Sequence, residues 1–331
     1  MDLEFQLLPE PQVQTRWRRT LQLLGAEYMS FYDLVRNVSK IGGGNFSQVY
    51  QGTYWLTGEE VIIKAVEKKR LQQANALTEI LVLRSVSHPS IVSFRGAFQN
   101  QKTVILITEY LRGGDLFDFI KRNGRMSERD SRDAMEKILQ ALVTLHARGI
   151  VHRDLKTENV MLRNPFDGTS VCLIDFGLSA TLDSELMTMR CGSPGYVAPE
   201  VLLEKGKYNS KCDVFSAGVV LYTMLTGKPP FRGEDAKCIL KKNARAKIVF
   251  PDYLSEEVKS LISWMTQRRP ELRCSTQDAL QHPFFTHESL PHGPFISHNG
   301  EDTCLQLPKH ILSQDHKFYF DRMSPNTTAV I

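Results

Sequence analysis

Between residues 31 and 111 the chain is built of short apolar runs broken by polar positions. Val49 to Tyr54, Val61 to Val66, Ile91 to Phe98 and Thr103 to Glu109 are β-branched or alternate with period two, which predicts a mostly antiparallel sheet. One stretch departs from that rhythm. In "ALTEILVLRSVSHP", Ile80, Leu83 and Val86 share a helical face and Pro89 closes the run, so one helix interrupts the sheet.

After Gly113 and Gly114 the apolar period becomes helical. "SERDSRDAMEKILQALVTLHARG" predicts a long helix with Ser127 as N-cap, Glu128 in its first turn and Gly149 at its end. "NSKCDVFSAGVVLYTMLTG", "SEEVKSLISWM" and "STQDALQHP" predict further helices. The expected fold class is α+β: a small antiparallel β lobe with one main helix, a larger helical lobe, and a ligand cleft near residues 110–114.

Two flanks follow neither pattern. Residues 1–31 read as a helical extension in which Trp17, Leu21 and Leu24 of "RWRRTLQLL" share a face. That face suits packing against the small lobe, with the end of a lipid-binding pleckstrin-like domain as the alternative. Residues 287–331, rich in His, Pro, Asn and Ser without periodicity, are expected to be a poorly ordered tail.

Composition narrows the classes. A chain of 331 residues with net charge +4 and interspersed charges does not imply a nucleic-acid partner. Six cysteines without a CxxC pair suit a reducing compartment rather than a disulfide or zinc framework. The acidic start "MDLEFQLLPEPQ" is unlike a secretory signal, and no apolar run has the length of a membrane span. A cytoplasmic location is expected, with the nucleus as the alternative.

The candidate chemistry begins at "IGGGNFSQVY". Its glycines suit close approach to a phosphate, with Gly42 and Gly44 as the expected points of backbone contact. A strand pattern follows rather than a helix, which disfavours a Rossmann or P-loop turn and predicts a hairpin folded over its ligand. In "EEVIIKAV", Lys64 lies among β-branched neighbours, where an ammonium needs a partner. Glu79 on the following helix can supply it.

With "VHRDLKTENVM", "CLIDFGLSA" and "GSPGYVAPE" in the same order, the chain resembles the eukaryotic protein kinase family over residues 32–286, with lobes at about 32–110 and 111–286. The resemblance implies ATP and Mg²⁺, and it implies roles. Asp154 would accept the substrate hydroxyl's proton, and Lys156 would contact the γ-phosphate. Lys64, oriented by Glu79, would hold the α and β phosphates, and Asn159 and Asp175 would bind the metal. The nucleotide would lie against Ile41, Gly42, Gly43, Gly44, Asn45, Phe46, Ser47, Val49, Lys64, Thr108, Glu109, Leu111, Asp115 and Met161. Thr108 would be the gatekeeper, and Glu109 and Leu111 would read the adenine edge. Asp115 is also placed to cap the helix "LFDFI".

Lys156 is the pattern of the Ser/Thr branch, so protein substrates with Ser or Thr acceptors are implied. Glu158 and Asp115 resemble the acidic pocket of kinases that prefer an upstream basic residue. Glu200 with Arg273 matches a buried ion pair, and Asp213 matches the carboxylate that braces the catalytic loop. Three positions depart from the family pattern: Ser47 stands for a third glycine, Thr157 for proline and Phe215 for tryptophan. Arg153 suggests a phosphorylated activation loop, with Thr188, then Ser184 or Thr181, as the site for an upstream activating kinase. "GGDLFDFI", "CGSPGYVAPEVL" and "LTGKPPF" are most similar to the calcium/calmodulin-dependent kinase group. Calmodulin itself is not supported, because neither an EF-hand loop nor a basic amphipathic helix is found. A pseudokinase scaffold is the alternative reading. It would be expected to lack Lys64, Asp154 or Asp175, all of which are present.

Overall fold

The computed structural model of the protein describes residues 6–7, 35–43, 47–55, 57–70, 76–99, 102–203 and 206–286. The readings for Trp17, Leu21 and Leu24, for Gly44, Asn45 and Phe46, and for the tail after residue 286 lie outside the described residues. The chain divides into two compact units. Among the described residues, one comprises those up to Ile80 together with Ser93–Tyr110, and the other Leu81–Val92 and those from Leu111 onward.

The first unit is built on one sheet. Its strands are β1 (Gln6–Leu7), β2 (Val35–Gly43), β3 (Ser47–Tyr54), β4 (Glu59–Glu67), β5 (Phe94–Gln99) and β6 (Thr103–Glu109), in spatial order β1-β5-β6-β4-β3-β2. All the pairings are antiparallel. Alternation sorts the side chains between two faces. Val35, Tyr54, Val61, Ile63, Phe98, Ile105 and Ile107 form a buried cluster on one of them, where each fully buried aliphatic or aromatic side chain stabilises by about 1.5–3 kcal/mol. The register Val49↔Lys64↔Leu106 and Ile62↔Thr108 puts the other set on the opposite face. Helix α1 (Ala76–Ser85) begins in this unit.

Two details differ from expectation. The strand expected from Ile91 starts only at Phe94, because Ile91 instead bridges to Leu173 and Val92 donates to the Leu173 carbonyl. Both residues therefore belong to the second unit. Helix α1 stops at Ser85, and Val86 is buried just beyond it.

The second unit is helical. Its longer elements are α2 (Leu116–Asn123), α3 (Glu128–His146), α5 (Lys211–Thr226), α6 (Ala236–Arg245) and α7 (Glu256–Met265), with the short α4 (Pro199–Leu203), α8 (Thr276–Leu280) and α9 (Pro283–Thr286). The predicted N-cap Ser127 accepts from the Asp130 amide, and Ser275 closes a capping box with Asp278. Helix α5 is buried on nearly all sides, as its continuous apolar run requires. A Cβ on Gly218 would lie 2.7 Å from Thr266, so this glycine lets α5 and α7 approach closely.

Two small antiparallel pairs carry the loops of interest. β7 (Ile150–Val151) pairs with β10 (Ala180–Thr181), and β8 (Val160–Leu162) pairs with β9 (Val171–Leu173). Residues 152–159 thus run from β7 to β8, and residues 174–179 from β9 to β10.

Candidate active site

In the first unit, Lys64 projects from β4 on the face that also carries Val49, Leu106 and Thr108. Its ammonium lies 2.6 Å from Glu79 of α1, with 21% of the lysine side chain and 7% of the glutamate exposed. Burial of the carboxylate demands that partner, and the exposed share of Lys64 leaves it accessible. Ile41, Gly42 and Gly43 lie at the end of β2 and Ser47 opens β3. At Gly43 a Cβ would come within 2.8 Å of the Ser47 carbonyl and 3.1 Å of the Gln48 Cα, so this position requires glycine. The amide of Glu109 donates to the Ser93 carbonyl, and its carboxylate accepts from the Ser93 amide at 2.8 Å.

In the second unit, Asp154, Lys156 and Asn159 come together with a residue that the sequence reading did not single out. Ser193 donates to Asp154 Oδ1 at 2.8 Å and accepts from the Lys156 ammonium at 2.9 Å. Lys156 lies 3.3 Å from Asp154 Oδ2. Asn159 Nδ2 donates to the Asp154 carbonyl at 2.8 Å and to Oδ2 at 3.2 Å. All four residues are buried. Burial drives the Asp154 carboxyl above the usual carboxylate range; Lys156 and Ser193 oppose this, and the charge of Asp175 adds to it. The result is a basic carboxylate of fixed orientation, the property a proton acceptor needs.

Backbone geometry positions this loop. Arg153 and Asp175 both take left-handed conformations, at φ 71° and φ 57°, which cost of order 1–3 kcal/mol each unless the surroundings impose them. For Arg153 the restraint is Asp213 of α5, whose carboxylate accepts the His152 and Arg153 amides and the His146 imidazole, each at 2.8 Å. Burial pushes Asp213 up, but the His146 hydrogen bond, the two nearby histidines and the backbone donor outweigh it and hold the group below its ordinary range. Asp213 therefore braces the loop, as expected. The His152 ring also packs against Phe176, with centroids 5.0 Å apart.

The donor set fits Mg²⁺. The Asn159 nitrogen is committed to Asp154, which leaves its carbonyl oxygen as the ligand-type atom, and Asp175 brings a carboxylate. Hard oxygen donors are the magnesium preference, and the negative charge that Asp175 adds beside Asp154 is what a cation would offset.

Other expected residues take structural positions. Asp115 caps α2, accepting the Asp118 amide at 2.7 Å, and bridges to Met161. Met161 and Leu111 are buried. Close to them, Gly113 donates to the Leu162 carbonyl at 2.8 Å. Glu200 and Arg273 form a bidentate pair at 2.6 and 2.9 Å. The remaining Arg273 donors reach the Gln267 and Lys211 carbonyls, and Phe215 lies 5.1 Å beneath the guanidinium.

Arg153, the expected phosphate partner, is held here by neutral groups. Its guanidinium donates to the Tyr208 hydroxyl at 2.7 Å and to the Leu178 and Met189 carbonyls at 3.1 and 3.3 Å. These are neutral acceptors on or beside the activation segment. Ser184 caps a 3-10 turn at residues 185–188, and the Thr188 hydroxyl donates to the Glu185 carbonyl at 2.7 Å.

The chain matches the family described as "Protein kinase domain" over residues 35–285. It is 45% identical over 267 residues to "Probable serine/threonine-protein kinase 2" of Plasmodium falciparum, an overlap covering 80% of this chain and 52% of that protein. It is 35% identical over 267 residues to "CBL-interacting serine/threonine-protein kinase 16" of Arabidopsis thaliana, covering 76% and 56% respectively. It is 37% identical over 249 residues to human "Calcium/calmodulin-dependent protein kinase type 1B", covering 73% and 72%. The chain thus spans about half the length of the first two relatives. It belongs to the protein kinase domain family. Its domain is of the serine/threonine type and is related to the calcium/calmodulin-dependent kinases, and the family implies ATP as substrate. No helix among the described residues is long and apolar enough to cross a membrane.

Proposed function

We propose that the protein transfers the γ-phosphoryl group of ATP to Ser or Thr hydroxyls of protein substrates, with a basic residue upstream of the acceptor. The observation that carries this reading is the buried carboxylate of Asp154, held by Ser193, Lys156 and Asn159 and kept basic by burial. The acceptor hydroxyl's oxygen attacks the γ-phosphorus, the bond to the departing ADP oxygen breaks, and the hydroxyl proton passes to Asp154. Lys156 neutralises charge on the transferred group. Lys64, oriented by Glu79, holds the α and β phosphates. Asn159 and Asp175 would hold Mg²⁺, which when bound neutralises phosphate charge. Thr108, Glu109 and Leu111 serve the adenine, and Ile41, Gly42, Gly43, Ser47, Val49 and Met161 enclose the nucleotide.

Neither the geometry nor the comparisons favour the scaffold alternative. The test is incubation of purified protein with Mg-ATP and a peptide library, beside Lys64→Met and Asp154→Asn. Transfer by the wild type and losses of about 10²-fold or more in both variants are expected. Equal background transfer by all three would overturn the reading.

A further inference from the structure

A second hydrogen-bonded chain lies beside the catalytic loop and ends on Glu158. Thr157 is fully buried, and its Oγ1 lies 2.9 Å from Glu158 Oε2 and 2.8 Å from the Tyr196 hydroxyl. The donor directions follow from the groups themselves. An ionised carboxylate only accepts, so Thr157 donates to Glu158, and its one hydroxyl proton is then used. In the Thr157 contact Tyr196 is then the donor, and the Thr223 hydroxyl, which donates to the Val219 carbonyl, is a second neighbour of the phenol. The Tyr196 phenol is raised by burial and next by the Glu158 charge, so it remains a neutral donor.

Glu158 itself is only half-buried, so it can meet a ligand. Asp115, the other acid considered for this task, spends one carboxylate oxygen on the α2 N-cap. Helix α2 packs against the turn formed by residues 157–159. A glutamate on a surface turn ordinarily samples several rotamers, and fixing a long side chain on binding costs about 0.5–1.5 kcal/mol. Here a buried hydroxyl relay fixes it beforehand.

We propose that Thr157, backed by Tyr196, is a positioning residue that orients the Glu158 carboxylate to select a guanidinium or ammonium upstream of the acceptor hydroxyl. This rests on the kinase reading above. Proline at this position, the residue that Thr157 replaces, has no hydroxyl and could not make the relay.

The experiment compares kcat/KM for peptide pairs that differ only in Arg or Ala at each upstream position. Each protein's own Ala peptide serves as its reference. The wild type is expected to prefer Arg at one upstream position, mainly through KM. Thr157→Val is expected to reduce that Arg/Ala ratio by about tenfold, Glu158→Gln to abolish it, and Thr157→Ser to restore it. Should Thr157→Val fail to fold, Tyr196→Phe takes its place, with partial loss expected. An unchanged ratio in these variants, an equal loss in Thr157→Ser and Thr157→Val, or no Arg preference in the wild type would overturn the inference while leaving phosphoryl transfer intact. Absence of transfer by the wild type to any peptide would instead overturn the kinase reading, and this inference with it.

Discussion

Asp154 and Asp213 are both aspartates with almost no exposure, and both belong to the second unit. Their environments nevertheless push them in opposite directions. Asp213 accepts two backbone amides and an imidazole, and its carboxyl falls below the ordinary range. Asp154 has Ser193, Lys156 and Asn159 as partners, yet burial and the neighbouring Asp175 leave it raised. A carboxylate surrounded by inward-aimed donors is a good brace and a poor base. One that is under-compensated is costly to hold and ready to take a proton.

The largest stability effect is expected away from either aspartate. Glu200→Gln leaves the fully buried Arg273 without its carboxylate, and denaturant unfolding should register a loss of about 3–5 kcal/mol. That value sets the scale for removing a purely structural charge. Asp213→Asn should cost about 1–3 kcal/mol, because an amide offers one oxygen to three donors. The depressed Asp213 carboxyl contributes stability that is present above the unfolded carboxylate value of about 3.9 and lost as pH falls through its lower folded value. The gap between wild type and Asp213→Asn should therefore be constant near neutrality and close in acid. A gap that widened in acid would contradict the assignment.

Ser193→Ala tests the other side of the comparison. It removes the donor to Asp154 Oδ1 and the acceptor of Lys156, so transfer should fall by about tenfold, with a stability loss of about 1–3 kcal/mol from the buried groups left unpaired. The smallest effect is expected from Thr188→Ala. Because Arg153 is already held by Tyr208, Leu178 and Met189, activity should stay within about twofold of the wild type. A larger loss would show that phosphate at Thr188 orders the segment.

Lys64, Asp154, Asn159 and Asp175 were legible because each sits in a short motif whose residue types match one chemistry. Asp213 and the Glu200 to Arg273 pair were recoverable through the same family pattern. Ser193, Tyr196 and Tyr208 were not. Their partners lie 39, 39 and 55 residues away in the chain, and only the packing of α4 and the activation segment brings them in. The strand boundary at Ile91 was misread for a related reason. An apolar run shows that residues are buried, whereas the choice between β6 and Leu173 as partner is a tertiary matter.

The central claim is that Asp154 is the base and Asp213 the brace. Asp154→Asn and Asp213→Asn, assayed side by side for phosphoryl transfer and for unfolding free energy at neutral pH, test it most directly. Asp154→Asn should lose about 10²–10⁴-fold in transfer with a smaller stability loss than Asp213→Asn, since it removes a charge that burial opposes while Lys156 keeps Ser193 as an acceptor. Asp213→Asn should lose stability. Wild-type transfer by Asp154→Asn, or a stability loss matching that of Asp213→Asn, would contradict the account.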